Sequence, residues 1–97
     1  MQEGAILNAL NPEFPLHKVI LYGDKLSTAK FSKRLSCSIK HLPLRLLFRY
    51  EHNTLNAIEA GVMKEPTLVM DGLIFIEGLV QAEEITEKFE IFLHEES

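Results

Sequence analysis

The chain has one cysteine, Cys37, and no tryptophan. A single thiol excludes an intrachain disulfide, so the fold must rest on its hydrophobic core, and this sulfur usage suits a reducing compartment such as the cytoplasm. No run of 18 apolar residues occurs, which argues against a transmembrane helix. The opening stretch MQEGAILNALNPEF lacks both a leading positive charge and a long apolar segment, so it does not read as a signal peptide. Positive charge is not in excess either. A formal net charge of −4 sets the chain against non-specific nucleic-acid binding. The histidines, at 17, 41, 52 and 94, show no H-x-x-x-H spacing and no C-x-x-C accompanies them, so neither a metal nor a cofactor is expected.

What is present is apolar residue in quantity. Hydrophobic residues make up 46% of 97, enough for one core and one domain, with the thin stability margin of a small protein. Residues 1–16 read as a lead-in arm, in which AILNAL suggests a short helix punctuated by Asn8, Asn11, Pro12 and Pro15. The domain proper is expected over 17–97. KVILYG (18–23) is a buried strand closed by Gly23. Ser27 is the expected N-cap of a helix over 28–39, with Phe31, Leu35 and Ile39 on one stripe and Lys30, Lys33, Arg34 and Lys40 in water. LRLLFRY (44–50) is a second strand, placed near an edge by Arg45 and Arg49. Asn53 caps a shorter helix that turns Leu55, Ile58 and Val62 inward and stops at Gly61. PTLVM-DG-LIFIEG is a hairpin through Asp71-Gly72. A last helix over 81–94 buries Ala82, Ile85, Phe89, Phe92 and Leu93 and exposes Glu83, Glu84, Glu87 and Glu90. The order is β-α-β-α-β-β-α, with the first two strands parallel and the last two antiparallel.

That order, with VILYG, the helix after it, GVMKEPTLVMDG and EGLVQAEEI, resembles the thioredoxin/glutaredoxin superfamily over about residues 18–95. The strand-DG-strand-glycine run ahead of the last helix is especially similar to small archaeal and bacterial thioredoxin-like proteins. The resemblance implies an α/β, thioredoxin-like fold with a central mixed four-stranded sheet and flanking helices. It also implies a cis Glu65–Pro66 bond, where the sequence by itself would predict trans, cis being only about 5–6% of X–Pro bonds in folded proteins. A more distant resemblance, through LYGDKLSTAKFSKRL and EPTLV, links the chain to KaiB-like domains, which dock on other proteins without cysteines.

The departure from the family decides more than the match. Where the family carries C-x-x-C, this chain reads GDKLSTAKF, so the two sulfur positions fall on Leu26 and Ala29, or on Ser27 and Lys30. Thiol–disulfide exchange needs an attacking thiolate and a second sulfur to resolve the mixed disulfide. Neither is there, and the helical periodicity turns Cys37 away from the apolar stripe, toward solvent. Ser27 and Thr28 near a helix start offer anion binding as a competitor to ordinary capping. Transferases of the same fold that use a hydroxyl carry a second helical domain and an acidic-Ser pair, whereas here Glu77 precedes Gly78.

The expected function is therefore a redox-inactive module that contacts another protein or an extended peptide. The expected surface is Lys25, Leu26, Ser27, Thr28, Ala29 and Lys30 together with Glu65, Pro66 and Thr67, where backbone beside the proline could pair with a peptide strand. The competing readings are a residual thiol- or glutathione-linked enzyme using Ser27 or Cys37, and a homodimer formed by strand or helix packing.

Overall fold

A computed structural model of the protein describes residues 5–8 and 10–96. It is an α/β structure with a five-stranded mixed sheet and three helices. In chain order these are β1 (Ala5–Leu7), β2 (Leu16–Tyr22), α1 (Lys25–Ser38), β3 (Arg45–Glu51), α2 (Thr54–Glu59), β4 (Thr67–Met70), β5 (Leu73–Glu77) and α3 (Ala82–Glu96). The sheet order is β1-β3-β2-β4-β5. β2 and β3 are parallel, as a helical crossover requires, and the other neighbours are antiparallel.

The fifth strand corrects the sequence reading. Residues 5–7 form not a helix but a short strand pairing with Leu46–Phe48, which places β3 inside the sheet rather than at its edge. Asn8, at a φ of +67°, turns the chain away from β1. Its side-chain amide lies 3.0, 2.9 and 3.0 Å from the carbonyl oxygens of Ile39, Leu42 and Leu44. That one amide shares its two hydrogens among three carbonyls at the end of α1 and in the following loop, two of which, Ile39 O and Leu42 O, also accept from the Leu42 and Leu44 amides. The part of the lead-in arm at residues 1–4 and 9 lies outside the described residues.

The alternating pleat divides the sheet into two faces. Val19 and Leu21, Leu46 and Phe48, Leu68 and Met70, and Ile76 point to one side, where Phe31, Leu35 and Ile39 of the first-helix segment and Ile85 and Phe89 of α3 cover them. A bulge between Leu68 and Val69 shifts the β4–β5 register so that Phe75, as well as Ile76, packs on this core, with the Phe75 and Phe89 rings 4.8 Å apart. The opposite face holds a smaller cluster of Tyr22, Val69, Ala57 and Val62, with Ile20 against it. Here α2 supplies less than expected. Leu55 and Ile58 are 70% and 62% exposed, and Ala57 is the buried residue of the helix. Six residues make less than two turns, too short to turn a long apolar stripe inward.

The helix α1 starts earlier than the sequence suggests. Asp24, not Ser27, is its N-cap, accepting a 2.7 Å hydrogen bond from the Ser27 amide. Arg34, expected in water, is half-buried and donates to the Val80 carbonyl at 2.8 Å. The Asp71-Gly72 turn has positive φ at both residues, 51° and 86°, the backbone of a type I′ hairpin.

Candidate functional site

The parallel strands β2 and β3 end at the same edge of the molecule, and β4, antiparallel to β2, begins there. Loops outside the carboxyl ends of parallel strands are where open α/β sheets most often bind ligands. Three loops meet at this edge: residues 23–24 leading into α1, residues 52–53 leading into α2, and residues 63–66 leading into β4.

Gly23 is the point on which they converge. Its φ is +146°, and a Cβ built there would stand 3.0 Å from Ser27 Oγ, 3.2 Å from Thr28 Cγ2 and 3.3 Å from the Pro66 Cα. The turn from β2 into α1 thus touches the start of β4 through backbone that only glycine fits. The Gly23 amide donates to Glu51 O at 3.1 Å, and its carbonyl lies 2.8 Å from His52 Nδ1, which ties in the third loop. The His52 ring stacks on Tyr50 with centroids 5.5 Å apart. Sequence reasoning weighed His52 only as a metal ligand and missed it as a loop tie, because its only signal for that is its position one residue past the end of a strand. The Glu65–Pro66 peptide bond is cis.

Of the nine surface residues the sequence suggested, Ser27, Thr28 and Pro66 meet at Gly23, with Lys25, Leu26, Glu65 and Thr67 next to them in the chain, whereas Ala29 and Lys30 lie further along α1, in a groove with Lys33 and Cys37. Lys25, Leu26, Ala29, Lys30 and Glu65 are exposed, and Ser27 is half-buried. Thr28, Pro66 and Thr67 are interior. The Thr28 hydroxyl donates to Asp24 O at 2.8 Å, and the Thr67 hydroxyl to Lys64 O at 2.7 Å, so both shape loops and offer nothing to a ligand. Thr67 is moreover paired on both sides, with Tyr22 and with Glu77, while Gly78 N donates to Pro66 O at 2.7 Å. Glu65 differs. Among the described residues its backbone amide and carbonyl take no hydrogen-bond partner.

The electrostatics of the rim are set by its caps. The Ser27 amide, then the Ser27 hydroxyl, hold the Asp24 carboxyl below its usual range, with His52 adding attraction. The Asn53 amide does the same for Glu51, helped by the Asn56 side chain and by Arg49, whose guanidinium lies 3.6 Å away. With the Asp24 carboxylate already on the first turn of α1, that terminus is occupied by its own anion, which favours capping over external anion binding there. Cys37 is exposed on α1, ten residues beyond Ser27 and about 15 Å along the helix axis, so its sulfur does not share this edge. Among the described residues no group of three or more His, Cys, Asp or Glu side chains is placed to hold a metal ion, and no helix is long and apolar enough to cross a membrane.

No family model matches the sequence, and no curated protein matches it.

Proposed function

We propose that the chain is a thioredoxin-like domain that has given up dithiol chemistry and binds an extended protein segment at the Gly23–Pro66 edge. The observation that carries this reading is the unpartnered backbone of Glu65, exposed beside the first turn of α1. An extended peptide laid along Glu65 would satisfy that backbone by β-augmentation. Around it, Leu26 and Met63 are exposed apolar side chains, and Lys25, Lys30 and Lys64 are exposed cations. A segment that lays apolar side chains on Leu26 and Met63 and turns acidic ones to the lysines, clear of the exposed Asp24 and Glu65 carboxylates, complements that rim.

Support for the fold reading comes from the order β3-β2-β4-β5, with α1 and α3 on one face and α2 on the other. The resemblance implies a central mixed four-stranded sheet with flanking helices, and these four strands and three helices agree with that much, with β1 added beyond β3. Against an enzymatic reading, the Ser27 hydroxyl is engaged within its own turn, 3.4 Å from Asp24 O, and the thiol of Cys37 lies remote from Pro66.

The test is a selection of displayed extended peptides on the immobilised chain, followed by amide-shift mapping of a selected peptide. Shifts should concentrate at residues 24–30, 63–65 and 67, binding should fail for Leu26→Asp and for Lys30→Glu, and insulin disulfide reduction should show no turnover. Shifts confined to another face, or measurable reductase turnover, would sink the proposal.

A further inference from the structure

Charge is segregated by helix in this protein. The α1 sequence KLSTAKFSKRLSCS holds three lysines and one arginine and no acid, and Lys40 follows just past its end. The α3 sequence AEEITEKFEIFLHEE holds six glutamates against one lysine. A helix N-terminus favours the first two glutamates, Glu83 and Glu84, but its effect fades within one turn and does not account for Glu87 and Glu90.

Both helices lie on the same face of the sheet, side by side. The Ser38 hydroxyl is 2.9 Å from Ala82 O, the Thr86 hydroxyl is 3.3 Å from Ser38 O, and Arg34 reaches Val80 O. This face is therefore half basic and half acidic. Lys33 and Lys40 are exposed on the basic half, with Cys37 between them, and Glu84 and Glu87 on the acidic half, near the exposed Ile91. Yet the two halves do not neutralise each other. Among the described residues no ion pair joins Lys33, Lys40, Glu84 or Glu87 to anything.

We infer that this helical face is a self-association surface, taken by a second copy of the chain. A two-fold axis running between the helices, in the plane of contact, would set α1 of one copy on α3 of the other, twice over. Such an isologous arrangement is what a bipolar, self-complementary face permits. Each exposed ion pair is weak alone, so the contact depends on several in register and on the apolar stems of the lysines with Ile91 and Leu79. The net charge of −4 on each copy acts over distances longer than the Debye length of about 10 Å at 0.1 M salt and is largely screened, whereas pairs in contact are not.

Lys33, Lys40, Glu84 and Glu87 are separate from Leu26 and Glu65, but Lys30 lines the same groove as Lys33 and Cys37, so Leu26→Asp is the variant that tells loss of the peptide-binding edge from loss of this surface. The experiment is sedimentation equilibrium of the full chain over a wide concentration range at about 0.1 M and about 0.5 M salt. A dimer is expected at the lower salt, with its dissociation constant raised roughly tenfold or more at the higher. Two double variants extend the test. Lys33→Glu/Lys40→Glu makes both halves acidic, and Glu84→Lys/Glu87→Lys makes both basic. Each alone should be monomeric, with far-UV circular dichroism unchanged, and an equimolar mixture should form a heterodimer because both contacts regain opposite signs. A wild-type chain that stays monomeric at the lower salt overturns the inference. So does a dimer indifferent to salt and to both variants, or a mixture of two folded variants that remains monomeric.

Discussion

Gly23 and Pro66, 43 positions apart in the chain, approach so closely that a single methyl group on Gly23 would sit 3.3 Å from the Pro66 Cα. This contact fuses the entrance of α1 to the entrance of β4 and thereby sets the width of the proposed binding edge. Gly23→Ala must both force a side chain into a backbone conformation reserved for glycine and push against Ser27, Thr28 and Pro66. It should destabilise the fold by roughly 1–3 kcal/mol. Urea unfolding measures this, and amide shifts at 27, 28 and 67 in the variant should move with it. An unchanged urea midpoint would show that the junction yields without cost.

Asn8 is expected to matter out of proportion to its place near the chain's start. Its amide lies within hydrogen-bond reach of three carbonyls from 31 to 36 residues away. Asn8→Ala removes this shared donor, although Ile39 O and Leu42 O keep the amides of Leu42 and Leu44, and should cost roughly 1–3 kcal/mol, more than an ordinary surface substitution. Asn8→Asp should be worse, since it replaces the donor with an acceptor facing carbonyl oxygens. Thermal or chemical denaturation of the two variants against wild type decides this, and Asp milder than Ala would be the adverse result.

Acid should loosen the protein in a defined direction. Asp24 and Glu51 are held below their usual ranges in the folded chain, by the amides of Ser27 and Asn53 respectively. A carboxyl lowered on folding contributes stability above its unfolded value, about 3.9 for Asp and 4.3 for Glu, and that contribution is lost as pH falls through the lower folded value. A plot of urea midpoint against pH should thus show these two contributions in full at neutral pH and losing them below about pH 4. Asp24→Asn keeps a capping side chain without the charge, so its acid limb should be shallower than wild type. An identical limb would remove Asp24 from the account.

The exposed side of α2 offers a prediction of near-neutrality. Leu55→Ser and Ile58→Ser remove apolar side chains that stand in solvent, and each should change stability by no more than about 0.5 kcal/mol. Ala57→Leu, by contrast, forces extra methyls between Tyr22, Val62 and Val69 and should cost about 1–3 kcal/mol. Equal losses in all three variants would mean that α2 packs by a different face.

The elements that the sequence made legible are those whose pattern is local. The spacing of Phe31, Leu35 and Ile39, the Asp71-Gly72 turn, the Asn53 cap and the buried face of α3 all follow from near neighbours in the chain, and all four are found in the structure. What escaped is what distant residues decide. The strand at 5–7 exists because Leu46–Phe48 offers it a ladder, and three residues carry too little pattern to announce themselves. Asp24 displaced Ser27 as the cap because both residue types cap well, and only the backbone course chose between them. At the candidate site the loops were found by motif, but Thr28 and Thr67 read the same on paper whether they face a ligand or the interior. His52 enters through the carbonyl of Gly23 and the ring of Tyr50, partners no spacing rule would name.

The three residues of β1 also have a negative task. β3 is a run of seven, RLLFRYE, and the outer flank of its Leu46–Phe48 stretch would be open to any passing chain were Ala5–Leu7 not laid along it. The outermost rung is left instead to a strand too short to recruit another molecule readily. Trimming the protein back past Leu7 would therefore unmask a sticky border, and the first sign of damage would be fibrous or amorphous precipitate rather than a lost binding activity.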